Sequence, residues 1–133
     1  MRAVGFIVGV VALVGIAGCS DPPPYIYEMT YSPNAGFTGQ MTTIDGMANY
    51  TDSANNISQY VVELVDPTGA LADRTPPTPI AETDTGVEGQ VEFTYIFTPA
   101  VSGVYNFYFW IIDLTGRESN HLNGQLRVSD DTM

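Results

Sequence analysis

Gly103-Val104-Tyr105-Asn106-Phe107-Tyr108-Phe109-Trp110-Ile111-Ile112-Asp113 decides the fold, because eight of its eleven side chains are apolar or aromatic. The run opens on Gly103 and is closed by Asp113 and the turn Leu114-Thr115-Gly116. Aromatic and β-branched residues so bounded predict a central β-strand with one face in a core. If Tyr105 points inward, parity sends Phe107, Phe109 and Ile111 with it and puts Tyr108, Trp110 and Ile112 on the other face.

Further strands are predicted on both sides of it. Upstream, Tyr25 to Ser32 alternates, and Pro33-Asn34-Ala35-Gly36 reads as a turn. Gln40 to Tyr50 follows, with Gly46 as a candidate bulge. Ile57 to Val65 carries Tyr60, Val62 and Leu64 on one face and Gln59, Val61, Glu63 and Val65 on the other. From Leu71 to Glu88, Pro76, Pro77 and Pro79 allow only short edge strands, since proline has no amide proton to donate to a ladder. Gln90 to Thr98 alternates, with Val91, Phe93, Tyr95 and Phe97 sharing a face. Leu122 to Val128 comes last, with Leu122, Leu126 and Val128 facing one way. No helix is predicted beyond the first eighteen residues. About seven short strands separated by turn signals predict an all-β fold, an antiparallel two-sheet sandwich.

Within this pattern, Ser102-Gly103-Val104-Tyr105-Asn106-Phe107 resembles the opening of strand F in immunoglobulin-like and fibronectin type III-like domains. The segment from Phe109 to Asn120 resembles the closing hairpin of many bacterial Ig-like modules. The resemblance implies that Tyr105 is a corner tyrosine whose hydroxyl bonds back to the backbone at the crossing between sheets. No cysteine pair links the sheets, and the only tryptophan lies in strand F rather than strand C.

The N-terminus carries a different kind of signal. Arg2 precedes an uncharged stretch, Ala3 to Gly18, that ends in Ile16-Ala17-Gly18-Cys19. This resembles a bacterial lipoprotein signal peptide with its lipobox. The resemblance implies cleavage before Cys19, acylation of its thiol, and attachment to membrane lipid. The alternative is an uncleaved span, but the stretch falls short of the ~20 apolar residues that cross a bilayer. Ser20 favours the outer over the inner membrane. Asp21-Pro22-Pro23-Pro24 is a short, extended tether, so the domain is expected to work close to the lipid surface. The expected organisation is signal peptide 1–18, acylated cysteine and tether 19–24, sandwich 25–129 and acidic tail 130–133. One cysteine cannot form an intrachain disulfide, and the covalent lipid is the only cofactor expected.

Charge narrows the partners. All fifteen acidic residues follow Cys19, against only Arg74, Arg117 and Arg127, a net of −12 with no lysine anywhere. Such a surface repels phosphate backbones, which argues against nucleic acid. An envelope protein is the expected partner, and the anticipated role is adhesion, scaffolding or assistance rather than catalysis. The candidate contact face consists of Tyr108, Trp110 and Ile112, extended by Val61 and Val65, with Arg127 placed to lie over an aromatic ring. The competing expectation is that the proline-rich segment folds over this face. A second functional reading is a glycan-binding module that stacks sugars on exposed Trp110 and Tyr108. Glu118, Ser119 and His121 lie close in sequence, but their spacing alone does not assemble a catalytic triad. Asp45, Asp52, Asp66, Asp84 and Asp113 fall at strand ends or loops where sandwiches can gather calcium, without a compact calcium-loop spacing. Asp113 reads more simply as a turn residue. The sequons at Asn49 and Asn56 are read as chance, because a lipobox implies a bacterium.

Overall fold

The computed structural model describes residues 22–80 and 86–130. Cys19 and Asp84 lie outside that range. Among the described residues there are nine strands: β1 (Tyr25–Ser32), β2 (Ala35–Phe37), β3 (Thr42–Thr51), β4 (Ile57–Val65), β5 (Leu71–Arg74), β6 (Thr78–Pro79), β7 (Glu88–Phe97), β8 (Gly103–Asp113) and β9 (Leu122–Ser129). They form two sheets, one ordered β1-β3-β7 and the other β2-β9-β8-β4-β5, with β6 also paired to β4. Among the described residues no helix is long and apolar enough to cross a membrane.

β8 lies at the centre of the larger sheet, antiparallel to β4 on one side and β9 on the other. Its alternation predicts this position, since Tyr105, Phe107, Phe109 and Ile111 are all buried. Facing them from the smaller sheet are Ile44, Ala48, Val91, Phe93, Tyr95 and Phe97. Phe93 stacks on Phe109 with ring centroids 4.3 Å apart, so the two sheets meet through aromatic faces.

Polar side chains fasten the sheets at their seams. The Asn120 amide both accepts from the Ile26 amide and donates to its carbonyl, at 2.9 Å each, tying β1 to the β8–β9 connection. At the other end of β1, the Tyr31 hydroxyl donates to the Gln125 carbonyl at 2.7 Å and accepts from its amide at 2.9 Å. Tyr95 donates its hydroxyl to Asp73 Oδ2 at 2.7 Å, linking β7 to β5. Burial, then the hydrogen bond to and charge of Asp73, push that phenol far above its usual range.

Two expectations change. Gly46 is not a bulge, because the β3–β7 ladder runs through it without a break. It is instead a cross-strand partner of Phe93, whose ring occupies the space a Cβ at Gly46 would take. The bulge lies in β1 between Tyr27 and Thr30, where Glu28 adopts a φ of 54°. The Pro33–Gly36 turn is shorter than expected: Ala35 and Gly36 already belong to β2, which pairs in parallel with β9. Three residues, of which only Phe37 is a strand-favouring type, carry too little alternation to announce a strand.

Candidate functional site

Tyr105 sits where the strand-F resemblance implies. Its hydroxyl donates to the Val101 carbonyl at 2.8 Å and accepts from the Val101 amide at 3.3 Å. This pins the crossing from β7 to β8.

The outer face of β8 follows the second of the two expectations, cover by the proline-rich segment, rather than the open contact surface. Parity is right, but Trp110 is only 2% exposed and Val61, its register partner on β4, 4%. Tyr108, Ile112 and Val65 are half-buried. The cover comes from two directions. His121 stacks on the indole with centroids 4.0 Å apart and planes within 10°. From the proline-rich side, the Arg74 guanidinium lies 5.3 Å from the ring centroid and pairs with Glu63 at 3.1 Å. Thr75 holds that segment down: its amide donates to the Val62 carbonyl at 2.9 Å and its hydroxyl accepts from the Val62 amide at 3.0 Å. The guanidinium on an aromatic ring therefore belongs to Arg74, while Arg127 is exposed on β9. What stays open beside Trp110 is a recess of about 170 Å³ lined by Val61, Arg74, Thr75, Pro77, Ile112 and Glu118. A buried indole covered by histidine and arginine offers no flat platform for a sugar ring, so the glycan-stacking reading loses its central residue.

His121, Ser119 and Glu118 do not assemble a nucleophile. His121 Nε2 lies 3.3 Å from Glu118 Oε1 at the surface. Ser119 is buried; its hydroxyl donates to the Asn120 carbonyl at 2.8 Å and accepts from the Ile111 amide at 3.0 Å. That hydroxyl closes the hairpin, and Asn120 beside it holds β1. Sequence reasoning missed Asn120 because its partner, Ile26, lies 94 residues away.

The aspartates are dispersed into structural roles. Asp45 accepts from the Thr94 hydroxyl at 2.9 Å, and Asp52 accepts the Asn56 amide at 2.7 Å. Asp66 and Asp113 each open a D-x-T-G turn of the same design. In each, one carboxylate oxygen accepts the threonine amide and hydroxyl and the amide four residues on. Gly69 and Gly116 take φ of 89° and 88°, the left-handed geometry that glycine permits. Asp113 is 3% exposed and also receives Arg117 Nε at 3.1 Å. Its burial pushes the carboxyl up, but the Thr115 hydroxyl, the Arg117 and Thr115 amides and the Arg117 charge outweigh this and hold it below the usual aspartate value. Asp66 is lowered chiefly by the Thr68 hydroxyl. Among the described residues no three acidic, histidine or cysteine side chains gather as a metal cluster.

Two sheets, a central β8 and a corner tyrosine define an all-β sandwich of the immunoglobulin type. Solved structures share that architecture. A PKD domain of an M14-like peptidase from a Thermoplasmatales archaeon is similar at a TM-score of 0.51 and 17% identity, covering 83% of this chain and 99% of that one. A CARDB domain from Pyrococcus furiosus, solved in complex with di-metal ions, gives 0.50 and 11%, covering 85% and 99%. The fibronectin(III)-like modules of CbhA from Clostridium thermocellum give 0.52 and 14%; 87% of this chain is covered, and it spans about half of that structure at 51%. At these identities the likeness is one of fold. No family model matches the sequence, and no curated protein matches it.

Proposed function

We propose that the chain is a lipid-anchored, non-enzymatic accessory or adhesion module of a bacterial cell envelope, attached through acylated Cys19. The observation that carries this is Ile16-Ala17-Gly18-Cys19, which ends an uncharged stretch only six positions before β1 begins at Tyr25. A chain of six residues spans roughly 20 Å at full stretch, so the sandwich stands directly on the lipid surface. Several acyl chains, at ~0.8 kcal/mol per buried CH₂, make such an anchor durable. The non-enzymatic part is supported by the occupied hydroxyl of Ser119 and the dispersed aspartates. Ser20 favours the outer membrane, and an envelope protein is the expected partner. Palmitate labelling of wild type and Cys19→Ser tests the anchor: label in the first and none in the second is expected, whereas equal labelling would refute it.

A further inference from the structure

β7 is an edge strand of ten residues, and among the described residues its only strand partner is β3. Which of its backbone groups are free follows from the ladder. The Ile26 amide and carbonyl are used by Asn120, so they point away from β3. Ile26 is the register partner of Tyr50, which places the Tyr50 backbone groups toward β7, opposite Gly89. The Asp52 amide donating to the Val87 carbonyl at 2.7 Å continues the same parity. Odd-numbered residues of β7 therefore bond to β3, while the amides and carbonyls of Glu88, Gln90, Glu92, Thr94 and Ile96 face the open edge. All five side chains are exposed on the outer face.

Charge specifies what fits there. The strands of the smaller sheet carry four acidic residues, Glu28, Asp45, Glu88 and Glu92, and no basic one. All three arginines of the described chain belong to the other sheet or its β8–β9 turn. Across the outer face of this sheet, from β1 to β7, Thr30, Met47, Asp45, Glu92 and Thr94 line a shallow concavity of about 420 Å³. A second copy of this chain would bring the same acids against these, so self-pairing is disfavoured.

We propose that the β7 edge takes up an extended, basic segment of another protein as an added antiparallel strand. Residues of the added strand that bond to the free groups have their side chains beside Ile96, Thr94, Glu92, Gln90 and Glu88 in turn. The segment recognised is thus apolar at its first position and lysine or arginine at the fifth and ninth, a spacing dictated by alternation along both strands. The basic residue at the fifth position also meets the concavity that Asp45 shares with Glu92. Strand addition supplies affinity through the backbone, and the acids supply selection. This names a partner chemistry for the accessory role above and takes its setting from that reading. The edge assay and the acylation assay nevertheless fail separately, since one reads β7 and the other Cys19.

The test uses the full chain in detergent with the blocked peptide Val-Thr-Val-Thr-Lys-Thr-Val-Thr-Lys and a control carrying glutamate for both lysines. The lysine peptide is expected to bind at least about tenfold tighter at low salt, and to lose about tenfold between 0.05 and 0.5 M NaCl. Binding should slow amide exchange at Gln90, Glu92, Thr94 and Ile96. Gln90→Pro removes an outward donor without touching the β3 ladder and should abolish binding. Glu88→Lys with Glu92→Lys, both surface changes, should reverse the peptide preference. Protection at another edge, an unchanged ranking after charge reversal, or self-association that protects the same amides without peptide would each overturn the proposal.

Discussion

Asp113 holds its turn with a buried carboxylate that accepts both the amide and the hydroxyl of Thr115. Asp113→Asn keeps the shape but gives up the charge, and should cost about 1–3 kcal/mol, because the Arg117 guanidinium and two amides lose an ionised acceptor in a buried site. The matching Asp66→Asn, at the more open turn, should cost less; urea unfolding of both variants measures the difference. Since the folded carboxyl of Asp113 titrates below 3.8, its contribution is complete above that pH and is lost as pH falls through the lower folded value. Wild type should therefore lose stability more steeply below about pH 4 than Asp113→Asn does. Tyr105→Phe removes only a hydroxyl at the sheet crossing and should cost about 1 kcal/mol, a fall of roughly 4–8 °C in Tm for a domain of this size. The D-x-T-G context of Asp113 is local, so its bonds to Thr115 follow from the sequence, whereas Trp110 is legible only in part. Alternation predicts its face, and the proline-rich segment is one of the covers expected there, but the contacts made by Arg74, Thr75 and His121 depend on pairings that no local pattern states.

At the scale of elements, legibility follows length and alternation. β4 and β8 begin and end where the sequence places them, because their apolar runs are bounded by glycine or by Asp-containing turns. β2, β5 and β6 have four residues or fewer, and their pairing is settled by where longer neighbours carry them. Two glycines inside strands, Gly46 and Gly124, are explained only by pairing: each is the register partner of a phenylalanine, Phe93 or Phe107, whose ring fills its missing side chain. An aromatic ring over a cross-strand glycine buries the ring and shields the bare backbone. Gly46→Ala and Gly124→Ala should each destabilise by about 1–3 kcal/mol, since the added methyl must displace a core ring. Because Phe93 and Phe107 lie 6.4 Å apart, the double variant is expected to depart from additivity. Denaturation of the two single variants and the double in one buffer would show it, and simple additivity would mean that the rings relax independently.

For the whole molecule, the sequence announced an acidic chain, but the topology shows where the charge sits. Four acids and no base occupy one sheet, and the arginines compensate only the other. No linear reading gives that partition, because Glu28, Asp45, Glu88 and Glu92 come from three strands spread over sixty-five residues. The repulsion opposes folding, since these charges are closer together in the sheet than in the extended chain. Salt should relieve it: raising NaCl from about 20 mM to about 500 mM shortens the Debye length to a few ångströms and should raise Tm. Replacing Asp45, Glu88 and Glu92 with their amides should raise Tm at low salt and flatten the salt response, while Asp45→Asn still offers an oxygen to the Thr94 hydroxyl. A melting temperature indifferent to salt in wild type, or a triple variant no more stable than its parent, would mean that these carboxylates are too well solvated to repel one another. A Tm that rises with salt is expected, because Asp45 and Glu92 line the same concavity.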